Sequence, residues 1–207
     1  MVRRRRVRRT ADEARTAALD AAERRLREVG PGGIRLQEIA AEVGISHPTL
    51  LHHFGTREAL VQAVVARCFE SLDADVLGAI ASVPPSEHAV EALLDRVFET
   101  LAAGGHARTL AWLALADFQA PARVGRLDAV IAAVHARRSD RRKAAGKPPP
   151  PLADSRHGVL LATFALFGEA VLGPMLFDRA GAGGPDRGGA RFRAWLGRLL
   201  LAHLDAR

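Results

Sequence analysis

A short stretch near residue 50 concentrates polar side chains that could bind another molecule. His47, His52 and His53 fall within seven residues, and Thr49 lies between them. Imidazole and hydroxyl groups can hydrogen-bond to base edges and phosphates of a nucleic acid. Histidines can also bind zinc, but no cysteine or carboxylate has a suitable spacing to complete the ligand set. We therefore predict a nucleic-acid surface and no metal or cofactor site, with an ordinary exposed polar face as the alternative.

The charge distribution also favours an anionic partner. The chain of 207 residues has a formal net charge of +7, and residues 1–9 contain six arginines and no acidic residue. This leaves a net charge of only +1 on the rest of the chain. We predict a disordered basic arm over residues 1–9, with Arg8 and Arg9 bound to DNA phosphates or in a minor groove. The alternative is a solvated tail; a signal peptide is not expected, because no apolar segment follows the arginines.

The residues around this stretch predict two short helices joined by a tight turn. Gly44 can end the first helix in the left-handed conformation, which costs glycine little. Ser46 can then cap the second helix by accepting a hydrogen bond from a backbone N–H. Ile45 and Leu50 have the spacing of a hydrophobic staple. Since these local signals agree, we predict a helix-turn-helix over residues 36–54.

The remaining segments also have helical periodicity, so we predict an all-α chain. Thr56 can cap a long fourth helix that begins at Arg57. On the apolar face of this helix lies Cys68, which we interpret as a core residue. As the one cysteine of the chain, it is typical of a protein in a reducing cytoplasm. A first helix is predicted from about residue 10, and its expected buried stripe is Ala18, Ala22, Leu26 and Val29.

Residues 14–60 resemble the DNA-binding domain of the TetR family of one-component transcriptional regulators. The resemblance is specific in order and spacing. It implies a homodimer that binds double-stranded DNA at a palindromic operator. It also implies a small-molecule effector, bound among the central helices, that moves the long fourth helix. The matching features are the pair Ala21-Ala22, Gly30, Ile39-Ala40, Val43 to Ser46, Pro48 to Leu50, His53-Phe54 and Arg57 to Leu60.

The resemblance implies particular roles for residues of the two short helices. His47 and Thr49 are the candidates for base edges, with Pro48 against a thymine methyl group. Gln37, at the start of the preceding helix, can also reach a base. The other predicted DNA-binding residues, which contact phosphates or cap the recognition helix, are Arg8, Arg9, Arg35, Ser46, His52, His53 and Arg57.

Three positions depart from the family pattern. Leu51 stands where the family usually has a tyrosine that reaches a phosphate, and leucine cannot donate a hydrogen bond. Arg35 stands where the family often has a threonine, and its guanidinium could itself reach a phosphate. Arg57 replaces a lysine and keeps the positive charge.

After Pro84 and Pro85 the composition changes, which predicts a second helical domain. We therefore divide the chain into the arm at 1–9, a helix-turn-helix domain at 10–56, a connecting helix at 57–83 and an effector-binding and dimerisation domain at 84–207. Candidate effector-binding residues are Phe98, Trp112, Asp117, Phe118, His135, Thr163, Phe164, Phe167 and Glu169, with ordinary core packing as the alternative for each aromatic. Candidate dimer-interface residues are Leu160, Leu172, Phe192, Trp195, Leu196, Leu199, Leu200 and His203.

Two other stretches of this second domain carry structural expectations. The basic cluster Arg137, Arg138, Arg141, Arg142 and Lys143 is predicted to be a solvated helix end rather than a second DNA site. The glycine-rich residues 181–189 are predicted to be a flexible loop between two helices.

Residues 158–177 approach the length of a membrane-spanning helix. Glu169 lies in the middle of this segment, so we predict instead a helix covered on both sides. Together with the last helix, it would form a four-helix bundle with a second subunit.

Catalysis is not expected, because the chain has no nucleophile elbow, histidine–acid pair or metal cluster at a useful spacing. The predicted function is that of a cytoplasmic, homodimeric DNA-binding repressor, released from its operator by an effector. The alternatives are a ligand-independent DNA-binding repressor and, less favoured, a helical enzyme.

Overall fold

The computed structural model describes residues 10–84, 86, 89–103, 105–116, 127–182 and 184–205. Every regular element within these ranges is a helix, which confirms the predicted all-α class. The helices are α1 (Ala11–Val29), a short 3-10 turn (Pro31–Gly33), α2 (Leu36–Val43), α3 (His47–Phe54), α4 (Arg57–Ser82), α5 (Ala89–Ala103), α6 (His106–Leu115), α7 (Leu127–Ala144), α8 (Leu152–Arg179) and α9 (Gly184–Asp205).

The chain divides into two compact units. The first takes its described residues from 1–68 and 112–122, and the second from 69–111 and 123–207. One division therefore falls inside α4, so this helix begins in the first unit and ends in the second. The predicted boundaries at residues 57 and 84 instead follow the two ends of α4.

In the first unit, α1 packs against α2 and α3. Thr10 begins α1 with a capping box, in which its hydroxyl accepts from the Glu13 N–H and the Glu13 carboxylate accepts from the Thr10 N–H. Ala18, Ala22 and Leu26 are fully buried, as predicted. Small alanines on this stripe allow neighbouring helices to approach closely.

The prediction that Val29 completes the buried stripe is wrong, because its side chain is 56% exposed. Val29 is the last residue of α1, and Gly30 follows it with a φ of +79°. The chain then turns into the 3-10 segment, where Gly33 lies against Val29 without a side chain to cover it. The stripe therefore ends with the helix.

Ion pairs hold α1 to α2 and α4. Arg24 Nη2 lies 2.7 Å from Glu42 Oε1, and this hydrogen bond lowers the pKa of the Glu42 carboxyl. Arg67 from α4 pairs with Asp20 of α1 at 2.7 Å and also with Glu23. The pairs are partly exposed, so we expect each to contribute little stability by itself. Their geometry nevertheless fixes the register of the three helices.

In the second unit, α5, α8 and α9 pack against one another around an apolar core. Its buried residues are Leu94, Leu101, Ala107, Leu166, Leu196 and Leu200. A smaller cluster of Ile80, Val130 and Val159 joins the end of α4 to α7 and α8.

The prediction of a solvated basic cluster on α7 is wrong for three of its arginines. Arg138 and Arg142 are buried, and Arg137 is half-buried. Arg137 donates to the carbonyls of Ile80 and Val83, which lie at the end of α4 where helical partners are missing. Buried polar groups are hydrogen-bonded, and here the partners are backbone and hydroxyl oxygens distant in sequence. Arg138 donates to Ser155 Oγ at 2.6 Å, and Arg142 donates to the Pro148 carbonyl at 2.7 Å.

The expectation of a flexible loop over residues 181–189 is also wrong, since α9 begins at Gly184. Gly188 and Gly189 are buried where α9 crosses α8. A Cβ atom at Gly188 would lie 2.9 Å from Phe177 Cγ and 3.0 Å from Phe177 Cβ. These glycines therefore serve close helix contact rather than loop flexibility, as glycines do where backbones approach.

We expect a Gly188→Ala variant to be less stable than a Gly168→Ala variant by about 1–3 kcal/mol, because only the first creates a steric overlap. Gly168, in α8, has open space around its Cβ position. The two substitutions share the gain in helix propensity, so the comparison isolates the packing term. Urea unfolding of both variants at equal protein concentration measures the difference. Equal stability would mean that α9 can move away from Phe177 without loss.

Candidate nucleic-acid interface

The turn between α2 and α3 sets the direction of the recognition helix. Gly44 adopts the left-handed conformation with φ 74° and ψ 28°, as its position predicts. The Ile45 N–H then donates to the Ala40 carbonyl at 3.0 Å, which satisfies a terminal carbonyl of α2. Ser46 caps α3 by accepting from the Thr49 N–H at 3.2 Å, so this prediction is also confirmed. Helix α3 therefore leaves the turn in a fixed direction.

The two faces of α3 differ in polarity. Leu50 is fully buried and Phe54 is half-buried, whereas Pro48, Thr49 and His52 are exposed. His47, Leu51 and His53 are half-buried. The Thr49 and Ser46 hydroxyl oxygens lie 2.7 Å apart, which ties the Thr49 side chain to the start of the helix. The predicted recognition residues are thus brought together on one helix, with its apolar side against the core.

The charged and amide candidates flank α3. Gln37 is exposed on α2, and Arg35 just before it is 74% exposed and pairs with Glu38 at 3.3 Å. Arg57 Nε donates to the Ile34 carbonyl at 2.8 Å, so Arg57 also anchors the segment that enters α2. This structural role has no sequence signal, because the partner is a backbone atom 23 residues away. Arg8 and Arg9 lie outside the described residues.

This arrangement defines a class of protein. A capped turn, a buried apolar side and an exposed polar side on the second helix are the features of a helix-turn-helix DNA-binding domain. In sequence, residues 18–64 match the profile of the bacterial regulatory proteins of the tetR family. The N-terminal domain of the chain therefore matches the DNA-binding domain of TetR-family regulators.

Solved structures support the same fold over the whole chain. A Rhodococcus sp. RHA1 protein of unknown function is similar with a TM-score of 0.67 and 23% identity, covering 98% of this chain and 99% of that one. A TetR-family transcriptional regulator from Streptomyces coelicolor has a TM-score of 0.62 and 19% identity, covering 96% and 84%. A TetR variant from Acinetobacter baumannii AYE in complex with minocycline has a TM-score of 0.52 and 17% identity, covering 92% and 96%. Among curated protein sequences there is no significant match.

The structure does not gather the candidate effector-binding residues into one site. Phe98 and Phe167 pack on the core of the second unit, whereas Phe164 is 68% exposed. Trp112 belongs to the first unit and covers Gly30, at which a Cβ atom would lie 2.9 Å from the indole ring. Asp117 and Phe118 lie outside the described residues. The Thr163 hydroxyl donates to the Val159 carbonyl at 2.8 Å, and His135 Nδ1 lies 3.0 Å from Ser155 Oγ.

Glu169 is the most unusual of these candidates. Its side chain is only 3% exposed, and Oε1 accepts a hydrogen bond from Arg193 on α9. Arg193 also lies 2.5 Å from Asp95 Oδ1 and 4.2 Å from the centroid of the Phe98 ring. Burial raises the pKa of the Glu169 carboxyl to about 7, because it outweighs the attraction of Arg193. Arg193 thus contacts both Phe98 and Glu169, and no sequence pattern predicts this role for it.

The candidate dimer residues divide between core and surface. Leu196 and Leu200 are buried in the core of the second unit, and Leu160 and Phe192 are half-buried. Leu172, Trp195, Leu199 and His203 are exposed. Beside them lies an open cavity of about 340 Å³ between α8 and α9, lined by Asp154, His157, Gly158, Leu161, Leu199, Leu200 and His203.

Two observations bear on the alternative functions. Cys68 is buried, and burial raises the pKa of its thiol to about 11, so it is a protonated core residue at neutral pH. By length and apolar composition, α8 is the one helix in the described ranges that could cross a membrane. Helix α8 packs against α5, α7 and α9, but only 22% of its apolar window is buried.

We expect a pH dependence of stability that originates at Glu169. The pKa of this carboxyl rises from 4.5 to about 7 on folding, so the folded chain binds more protons than the unfolded chain between these values. Stability should therefore fall as the pH rises from about 4.5 to about 7, and Glu169→Gln should remove this fall. Urea unfolding at pH 5, 6, 7 and 8 measures it. Parallel stability profiles for the two proteins would contradict the prediction.

Proposed function

We propose that the chain is a homodimeric transcriptional repressor that binds a palindromic operator through α3 and is released by a small-molecule effector. The observation that carries the proposal is the capped α3, which exposes Pro48, Thr49 and His52 while Leu50 is buried. An exposed helix of this kind fits the major groove of DNA, and its N-terminal residues then reach base edges. His47, Thr49 and Gln37 are the proposed base contacts.

Phosphate contacts fix the position of this helix on the duplex. We assign them to His52, His53, Arg35 and Arg57 and to the arginines of residues 1–9, with Ser46 at the helix start. Phosphate contacts supply affinity that is independent of sequence and sensitive to salt. The six arginines among the first nine residues suit this role, since the rest of the chain is nearly neutral.

The proposed dimer forms through α8 and α9. Exposed apolar side chains follow both helices, among them Phe164, Leu172, Met175, Trp195 and Leu199. This surface has both protruding aromatic side chains and the 340 Å³ cavity. The same surface on two copies can therefore be complementary across a two-fold axis. Covering this surface with a second copy also explains the apolar character of α8 without a membrane. Two α3 helices related by the axis would then read half-sites about one helical turn, ~34–36 Å, or a multiple of it apart.

The effector is proposed to bind within residues 84–207. The TetR variant of similar fold that is complexed with minocycline supports a small molecule as ligand. Glu169 and Phe98 are the candidates with an unusual environment, because a buried carboxylate and an aromatic ring share Arg193. Release of DNA by a compound from a small-molecule panel tests this part of the proposal. A repressor that binds DNA without any ligand is the second candidate, favoured because the described candidate residues do not gather around a single pocket.

We propose no catalytic activity. The described residues contain no group of three or more metal-binding side chains, and Cys68 is a core residue. Ser155, which contacts His135, is not expected to act as a nucleophile, because its side chain is buried and its hydroxyl accepts a hydrogen bond from Arg138. The proposed location is the cytoplasm, where the operator is accessible.

We expect Thr49→Ala to weaken binding at particular base pairs, by about 1–3 kcal/mol against the best site. Removal of residues 2–9 should instead weaken binding to all sequences and lower the salt slope by about 0.9 for each phosphate that the arm no longer neutralises. Anisotropy titrations with a duplex selected from a random library, and with its single-base variants, measure both effects. If the two proteins lose affinity for every duplex in the same proportion, the division into base and phosphate contacts is wrong.

We expect Leu172→Glu or Leu199→Glu to dissociate the dimer, because each would bury a carboxylate twice at a two-fold interface. The matched control is Leu115→Glu, at an exposed leucine of the first unit. Sedimentation velocity should show the 22.2 kDa monomer for the two interface variants and twice this mass for the control. A monomeric wild-type protein, or interface variants that remain dimeric, would contradict the proposed interface.

A further inference from the structure

We propose that His52 and His53 bind DNA phosphates in their protonated form, so that DNA binding takes up protons and strengthens as the pH falls through the neutral range. This inference rests on the proposed function, because it concerns the same surface of α3. It adds a form of regulation that the helix-turn-helix geometry does not require.

The two imidazoles occupy the last turn of α3. His52 lies four residues after Pro48 and His53 four residues after Thr49, so each histidine shares a helix face with an exposed residue of the first turn. Their ring centroids are 6.0 Å apart with an interplanar angle of 61°. When the first turn of α3 meets base edges, the last turn therefore lies towards the flanking backbone.

Neither imidazole has an anionic partner in the part of the chain that the structure describes. Helix α3 carries no acidic residue. The carboxylates of α2 pair with arginines, Glu38 with Arg25 and Arg35 and Glu42 with Arg24 and Arg25. The other charged groups placed around α3 are Arg15 of α1, which lies 5.2 Å from the centroid of the Phe54 ring, and the pair Arg57 and Glu58 at the start of α4. DNA phosphates would thus be the first anions to reach these rings.

The chemistry of the phosphate then decides the protonation state. A phosphate oxygen only accepts hydrogen bonds, whereas a neutral imidazole offers one donor and one acceptor nitrogen. The imidazolium offers two donors and a positive charge, and a nearby anion favours this form. Leu51, where the resembled family usually has a tyrosine, offers no donor. The histidines are therefore the phosphate donors that remain in this part of α3.

Histidine is the side chain that ordinarily changes charge between pH 5 and 8. By linkage, the change of log affinity with pH equals the number of protons taken up on binding. Two histidines in each of two protomers allow an uptake of about four protons at most. A steep pH dependence near neutrality is the expected consequence.

The test uses the full chain and needs no known operator, because phosphate contacts are independent of sequence. The probe is a fluorescein-labelled, mixed-sequence 30-base-pair duplex, titrated by anisotropy at pH 6, 7 and 8 and at several salt concentrations. Three proteins are compared: wild type, the double variant His52→Gln/His53→Gln and the double variant His52→Arg/His53→Arg. Circular dichroism of all three confirms folding, which is needed because His52 is exposed but His53 is half-buried beside Phe54.

We expect wild type to gain at least about tenfold more affinity than the Gln variant between pH 8 and pH 6. Its salt slope should also be steeper at pH 6, by up to about 0.9 for each histidine that becomes charged. The Arg variant carries a permanent charge, so it should bind tightly at pH 8 and lose the extra pH dependence. Titration of other groups, including Glu169, is common to all three proteins and cancels in this comparison.

Two results would overturn the inference, and they are distinguishable. If wild type and the Gln variant bind DNA with the same pH dependence, the histidines take up no protons, while the proposed function stands. If none of the three proteins binds the duplex at any pH or salt concentration tested, the proposed function fails together with the inference.

Discussion

The direction of α3 depends on one local constraint, the tight turn between α2 and α3. Gly44 turns the chain by adopting the left-handed conformation. Ser46 then caps the next helix, because its hydroxyl accepts a hydrogen bond from the Thr49 N–H. If α3 began two residues earlier or later, its side chains would be rotated by about 200° around the helix axis. Leu50 would then no longer face the core. The turn therefore decides at once which side of α3 is buried and which side is left for another molecule.

Features of this local kind could be predicted from the sequence. The caps at Thr56 and Ser46, the left-handed Gly44 and the buried Leu50 follow from residue types within a few positions, and the structure agrees. Contacts between distant residues could not be predicted in this way. A run such as Arg137 to Lys143 looks like a solvated helix end until tertiary folding brings carbonyls and Ser155 to it. In the same way, the sequence around Gly188 and Gly189 is typical of a loop, but in the structure both glycines lie where α9 crosses α8.

In the second unit, a cluster of charged side chains joins three helices. Glu169, Arg193 and Asp95 link α8, α9 and α5, and the Glu169 and Arg193 side chains leave no room for a side chain at Gly189. The raised pKa of Glu169 shows that burial of this carboxylate is not fully compensated. Buried ion pairs of this type are weak contributors to stability, but their fixed geometry restricts the ways in which helices can pack. Here the restriction concerns the two helices whose outer faces carry the proposed dimer surface.

Helix α4 is held near both of its ends by hydrogen bonds between side chains and backbone atoms. Near its start, Thr56 caps it and Arg57 holds the Ile34 carbonyl; at its end, Arg137 of α7 binds the Ile80 and Val83 carbonyls. A displacement of α7 would break its hydrogen bonds to the last turn of this 26-residue helix. At this end of α4, the two hydrogen bonds of the Arg137 guanidinium add to the packing of Ile80 against Val130 and Val159, so both Arg137 and Ile80 hold α4 to α7.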